Sequence, residues 1–500
     1  GEIYVNGRKV DELLLDGKSF FSDDRQLMLD NLPAFMVKDV KAYEWQDPAY
    51  RVTAGPGDKK YVLDVGLKRQ YQIGWIANAE AGGGTDDRFL GRLFTLRFTT
   101  HSQLAFFANA NNLSDDRSPG DNGDWSPLQQ ATGVKKVYSG GMAYDVSQRE
   151  GKYKHKGQLL LDYSEGDYQN RGSRVNFLEG GDTYGRSAAA SAPENFNINT
   201  QHTLMFNFTE GGTNGLVLEP YFSYSKDNSR GYSAEATFAE DRAGGWGKEW
   251  LDSLMNPQAG GLLRRYALNR TRSEDKGNGH DLEAGLQGNF FFSLPHITDL
   301  VFQLSADGKF DDGKRYDYQR YHLEYPLSGA GGDFQNRYDF NKRRNWDYGG
   351  ELMGLRNWYP GQGWQQLRVR YEVRGRHRET DRSYYRLDGL AGWGVDTEYA
   401  LGQLPSVDEL GRAFDRGNSY EAAQDDRIGR AAIEYAGILN MDKWKGQFEI
   451  SLPLRFERNE LDYRRGTLDT TFHRNLVLFN PSVRIYINNL DFTYTYTPTA

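Results

Sequence analysis

The chain has 500 residues, with 61 Lys and Arg against 69 Asp and Glu, a formal net charge of −8, 14% aromatic residues, 57 glycines and no cysteine. The missing cysteine excludes a disulfide scaffold and thiolate metal sites, and mild acidity excludes the clustered basic footprint of a nucleic-acid binder. The longest uninterrupted apolar run, residues 104–108, falls far short of the roughly 18 residues of a transmembrane helix, while the aromatic content is too high for a disordered chain.

Residues 1–70 have a texture of their own. An apolar stretch at 3–5 runs into Asn6-Gly7, and Leu13 to Leu15 into Asp16-Gly17; both dipeptides are two-residue hairpin signals. Asp23-Asp24 offers an N-cap for a short helix over 25–31, which Pro33 stops. Strands are predicted over 35–45 and 61–68. This reads as a small α/β module placed ahead of a different kind of object.

From 71 to 500 the texture is uniform, with no long helical segment and no linker. Leu367, Val369, Tyr371 and Val373 interleave with Arg368, Arg370, Glu372 and Arg374. Phe448, Ile450, Leu452, Leu454 and Phe456 interleave with Glu449, Ser451, Pro453, Arg455 and Glu457. Successive strand side chains point to opposite faces, so each segment has an apolar face and a strongly charged one. About fifteen strands are predicted, beginning near residues 74, 89, 103, 139, 153, 196, 215, 279, 299, 344, 365, 427, 446, 473 and 490. Their connections alternate. Short ones are expected at 100–102, 149–152, 211–214, 293–298, 359–364, 440–445 and 488–489, long ones at 113–137, 170–195, 231–278, 322–343 and 388–426. Trp75, Trp358, Tyr359, Trp364 and Trp444 stand at strand ends, where a membrane girdle would place them. A solenoid or propeller would show a fixed repeat period, and none is found. The fold class is therefore all-β: a large antiparallel transmembrane β-barrel, apolar toward lipid and charged toward a wet lumen. A barrel too wide to fill with side chains needs an aqueous channel or a plug, and the first module supplies a candidate plug. Its charges, Arg8, Lys9, Asp11, Glu12, Asp16, Lys18, Asp23, Asp24 and Arg25, predict seating through water and ion pairs rather than a dry core.

The order Ile-Tyr-Val-Asn-Gly-Arg (3–8), Leu-Leu-Asp-Gly-Lys-Ser-Phe-Phe (14–21), Asn-Leu-Pro-Ala (31–34) and Val-Lys-Asp-Val-Lys-Ala-Tyr-Glu (37–44) resembles the latter half of the plug of TonB-dependent outer-membrane receptors, above all those of the Bacteroidetes type. Residues 61–68 resemble the last plug strand and 75–82 the first barrel strand. The resemblance is specific over 1–100 and textural beyond. It implies a plug spanning 1–70, a barrel spanning 71–500, residence in outer-membrane lipid of a Gram-negative bacterium, and a TonB-type inner-membrane complex that pulls the plug to admit ligand. A surface lipoprotein is a further partner of such receptors. The family pattern also implies a parent of about 22 strands, of which this chain would be an internal piece, opening inside the plug and lacking the closing strand.

Catalytic motifs are absent from the sequence, and an enzyme is not expected. His101, His155 and His202 stand singly. Asp115, Asp116, Asp121 and Asp124 gather hard oxygen ligands such as a structural calcium ion prefers, although their spacing is not that of an EF-hand and a solvated acidic loop is the better explanation. Trp125, Trp246 and Trp250 offer aromatic faces for stacking on substrate, or hydrophobic anchors for their loops. Two functions follow: plug-gated, TonB-energised uptake of a nutrient (glycan, peptide or metallophore), or a passive or structural barrel such as an adhesin or surface-complex subunit. A passive pore needs no plug, so residues 1–68 favour uptake.

Overall fold

The computed structural model describes residues 3–19, 29–45, 60–71, 73–115, 133–148, 152–209, 214–240, 267–294, 297–328, 330–360, 363–441, 444–487 and 490–496. Six short strands build the N-terminal module: β1 (Tyr4–Val5), β2 (Arg8–Lys9), β3 (Glu12–Leu15), β4 (Lys18–Ser19), β5 (Val37–Trp45) and β6 (Lys60–Leu67). Both predicted hairpin turns form. Asn6 and Gly7 have φ of 51° and 77°, and Asp16 and Gly17 of 48° and 74°, the left-handed pairs that a two-residue turn requires. The sheet order is β4-β3-β6-β5, with β3 and β6 parallel. Two aspartates fasten that parallel pair: the Gly17 N–H donates to Asp64 Oδ1 at 2.9 Å, and the Leu67 N–H to Asp16 Oδ1 at 2.9 Å. The described part of the predicted helix is helical at 29–31, and a 3-10 turn, Ala34–Met36, follows Pro33.

All the remaining strands join one 16-stranded sheet. Its first half holds β7 (Gly74–Gly83), β8 (Phe89–Phe98), β9 (Ser102–Asn111), β10 (Gly133–Ser147), β11 (Tyr153–Asn176), β12 (Thr183–Asn207), β13 (Gly215–Phe238) and β14 (Ala267–Leu294). The second holds β15 (Ile297–Tyr325), β16 (Ala330–Trp358), β17 (Trp364–Arg386), β18 (Tyr420–Met441), β19 (Trp444–Arg465), β20 (Leu468–Phe479), β21 (Ser482–Ile487) and β22 (Leu490–Thr495). Each pairs antiparallel with its chain neighbours, except that β20 and β21 both pair with β19. They are one strand interrupted at 480–481, where Pro481 has no N–H to give a ladder; the Asn480 N–H reaches across to Pro453 O at 3.4 Å. The all-β, antiparallel expectation holds. No pairing joins β7 to β22 among the described residues.

Strand ends bracket each expected short turn, many of whose residues lie outside the described ones, but three of the long connections are not where alternation placed them. Residues 170–195, 322–343 and much of 231–278 are strand, leaving connections of 177–182, 326–329 and 239–266. The reason is physical. Beyond the apolar band charged and polar residues interrupt both faces of these hairpins, so the period-2 signal weakens while the backbone ladder continues. Cross-strand pairs hold it instead: Tyr318 stacks on Tyr338 at 4.7 Å, Tyr316 lies 5.0 Å from Phe340, and Arg174 pairs with Glu235 at 2.8 Å.

Register carries each face across the sheet, because directly opposed residues share a face. One row reads Tyr153–Phe206–Leu216–Phe290–Leu304–Leu352–Tyr371–Ala431–Leu454–Phe479. The adjoining row on the other face reads Lys154–Met205–Val217–Asn289–Ser305–Glu351–Glu372–Arg430–Arg455. On the first face, apolar positions fill 302–310 of β15, 346–354 of β16 and 448–456 of β19. Each window matches the ~9–11 residues of a strand crossing hydrocarbon. Leu304, Leu352 and Tyr371 are about half exposed there. An uncovered apolar band of this extent requires an apolar surrounding.

Candidate functional site

The candidate site is the charged face and the module seated on it. Its first part is a wall of ion pairs at the same height as the apolar band. Glu372, almost fully buried, is held by Arg374 and by Arg430 at 3.4 Å. Arg368 meets Glu434 at 3.0 Å, Arg376 meets Asp347 at 2.6 Å, and Lys309 meets Glu283 at 3.0 Å. Strand alternation places these groups, since β17 offers Arg, or Glu at 372, at every second position from 368 to 378. Charges of both signs at this density cannot face hydrocarbon, so this side is wet.

The second part is the module's seat. Leu13, Leu15, Met36, Val65 and Leu67 of the module form one buried cluster with Ile76, Phe94, Leu96, Phe98, Ala105 and Ala143 of β7–β10. Asn78 Nδ2 donates to Asn31 Oδ1 at 3.0 Å, and Gln103 Nε2 to Leu15 O at 3.2 Å. The expectation of a seat made of water and ion pairs is therefore wrong. Arg8, Lys9, Asp16, Lys38, Lys41 and Glu44 of the module are exposed, while β3, whose Leu13 to Leu15 are all fully buried, supplies the contact. Register shows which face is covered. Ala105 aligns through Ala143, Gln158, Gln201, Tyr221, Gly285, Lys309, Asp347 and Arg376 to Asp426. The module thus sits on the charged face, at the stretch where that face turns apolar.

The third part is the connection between β17 and β18. It begins with the 3-10 turn Leu387–Gly389 and contains helix α1 (Val407–Ala413). Leu387, Trp393 and Ala413 bury against Tyr338, with Tyr316, Phe340 and Tyr385 around them. Asn336 Nδ2 donates to Trp393 O at 3.2 Å, and Arg320 Nη2 to Tyr399 O at 3.0 Å. By register these strand residues share the face of the apolar band, beyond its edge.

Of the residues singled out by sequence, Trp125, Trp246, Trp250, Asp116, Asp121 and Asp124 lie outside the described residues. Asp115 points inward: its Oδ2 is 2.6 Å from Arg92 Nη2, both side chains 1% exposed, and Glu80 reaches the same guanidinium at 3.1 Å. Among the described residues no group of three or more His, Cys, Asp or Glu is placed to hold a metal. Trp75 and Trp358 stand on the apolar face, but Trp364 falls on the charged one, since Gln365 is the residue opposite Trp358. Sequence reasoning missed a cluster on the apolar face: Tyr144 Oη lies 2.7 Å from His155 Nε2 and 2.7 Å from His202 Nδ1, and Thr200 Oγ1 is 2.8 Å from His202 Nε2. No local spacing joins residues 144, 155 and 202; only the β10–β11–β12 register does.

No family model matches the chain, and no curated protein matches it. Among solved structures it is similar to the copper transporter OprC, at 11% identity over 97% of this chain and 71% of that one, with a TM-score of 0.24. It is also similar to the siderophore receptor PirA from Pseudomonas aeruginosa (8% identity, 95% and 87% coverage, TM-score 0.15) and to the ferric citrate transporter FecA (8%, 98% and 86%, 0.15). Similarity at this level assigns neither ligand nor mechanism.

Proposed function

We propose that the chain is a plug-gated importer of the outer membrane of a Gram-negative bacterium, driven by a TonB-type complex of the inner membrane. The observation that carries this reading is the module seated on the charged face of a sheet whose other face is a continuous apolar band. Lipid takes the apolar face, the charged face lines a wet lumen, and the module obstructs it. A passive or adhesive barrel gains nothing from such an obstruction. The motifs over 3–44 support the Bacteroidetes type, in which a surface lipoprotein is a natural partner. Glycan, peptide and metallophore remain the ligand classes, with Trp125, Trp246 and Trp250 as stacking surfaces and calcium at Asp115, Asp116, Asp121 and Asp124 as a proposal that chelation tests.

The decisive experiment locks the plug. The chain has no cysteine, and the Asn31 and Asn78 side chains touch at 3.0 Å, so Asn31→Cys with Asn78→Cys gives one defined cross-link. Uptake of labelled glycans, peptides and metal chelates is then followed in whole cells. Oxidised protein should retain surface binding and lose uptake, and reduction should restore it. Collapse of the proton-motive force should stop uptake by the unlocked protein. Transport through a locked plug would return the function to a passive barrel.

A further inference from the structure

We propose that the outward face carries a binding site for the phosphate groups of a membrane glycolipid, centred on Lys226, Lys314 and Lys342. The inference rests on the reading that the apolar face meets lipid. Just beyond the apolar band, register brings four basic side chains into one row on that face: Lys226 opposite His280, His280 opposite Lys314, and Lys314 opposite Lys342. Like charges directly opposed across strands destabilise a sheet. Among the described residues none of the three lysine side chains makes an ion pair or hydrogen bond. The neighbouring acids are engaged elsewhere: Asp312 with Arg344 at 3.0 Å, and Glu194 with Tyr163 at 3.1 Å and Asn228 at 3.2 Å. Asp381, opposite Lys342, accepts from Ser383 Oγ at 3.4 Å, and beyond it the row runs on through Glu421 to Arg464.

The height of the row decides the occupant. Phe310 and Trp346, paired at 5.6 Å, end the apolar windows of β15 and β16, and Asp312 and Arg344 come next on that face. Lys314 and Lys342 follow, about 14 Å along the strands from the aromatic pair at the usual rise per residue. That is headgroup depth. Above them, Tyr316 and Phe340 are covered by the β17–β18 connection, so the lysines lie in a groove between that cap and the apolar band. Beside Lys342 and Arg344 a cavity of about 340 Å³ opens, whose far walls carry Arg464 and the acids Glu379, Asp381, Glu421 and Asp462. Unpaired cations over an aromatic belt fit acyl chains below and phosphate monoesters at the row.

The test uses the protein in phosphatidylcholine nanodiscs with and without diphosphoryl lipid A, counting bound lipid by native mass spectrometry. Lys226→Gln, Lys314→Gln and Lys342→Gln combined should weaken retention about a hundredfold, at roughly fivefold per lysine near a charged surface. Arg343→Gln, one residue away but on the charged face, should leave it unchanged. Lipid A stripped of its phosphates should bind wild type as poorly as the intact lipid binds the triple variant. Equal retention by the triple variant, or by the dephosphorylated lipid, overturns the site. Displacement by inorganic phosphate alone overturns its lipid character. Failure of wild type and variants alike to enter phosphatidylcholine bilayers overturns the membrane reading and this site with it, whereas normal insertion with phosphate-independent binding removes only the site.

Discussion

Ile450 and Ser451 are adjacent in sequence and opposed in environment. Ile450 lies between Tyr435 and Val483, and Ser451 between Glu434 and Ser482. Arginine at a lipid-facing midplane position costs ~2–4 kcal/mol. Ile450→Arg should therefore lower the unfolding free energy read from liposome urea titrations by that amount, with Ser451→Arg near wild type. Equal effects would mean that the register is displaced by one residue, which exchanges the faces. The buried pair Arg92–Asp115 gives a second expectation. Removing one partner strands the other charge in a dry site, at about 3–5 kcal/mol. Asp115→Ala should lower the unfolding midpoint sharply, and replacing both residues by leucine should recover most of the loss. If chelator treatment of wild type lowers the midpoint as far as Asp115→Ala does, a calcium ion rather than Arg92 is what Asp115 serves.

Among elements, the β17–β18 connection is folded by its own polar chemistry. The Glu409 carboxylate accepts from the Ser406 N–H at 3.2 Å and from Ser406 Oγ at 2.7 Å, starting α1. Asp415 ends the helix region as an acceptor for Asn418 Nδ2 at 2.9 Å and for the N–H groups of Gly417 at 2.9 Å and Asn418 at 3.1 Å. The Asn418 amide in particular holds the Asp415 carboxyl below its usual range. A depressed folded-state value means that the stabilisation is present above the unfolded-state value and lost as pH falls through the folded one. Trp393 emission, taken as the difference from Trp393→Phe, should thus stay constant from neutral pH to the usual carboxylate range and shift only below it. Asp415→Asn should show the shifted emission with a reduced acid step. A transition near neutrality would assign the cap to a different group.

At the scale of the whole molecule, the dry seat sets how the plug yields. Phe98 is fully buried between module and wall, and truncating a buried Phe costs about 3–5 kcal/mol. Phe98→Ala should loosen the module without disturbing the strand ladder. The expected result is a rise in passive antibiotic or dye leakage with unchanged heat-modifiable migration. Unchanged leakage would show that the seat on β7–β10 does not hold the obstruction. Because whole-module displacement would expose the full cluster, a pulling force is expected to unfold part of the module before it slides the rest.

The sequence by itself determined what depends on local periodicity and turn chemistry. Alternation at 367–374 and 448–457 set the two faces, Asn6-Gly7 and Asp16-Gly17 set the hairpins, and the short turns were legible because strand ends break the pattern. Only the tertiary structure decided what depends on register. The hairpins beyond the band had little alternation to read, since charged and polar residues fall on both their faces and only the folded β17–β18 connection covers the aromatics among them. The module's seat was illegible because the exposed charges around it hid the buried β3, and the partners of Leu13 and Leu15 lie on strands far along the chain. The lysine row and the Tyr144–His155–His202 cluster assemble residues from separate strands. Their meeting is fixed by which backbone groups pair across the sheet, and no spacing along one strand records it.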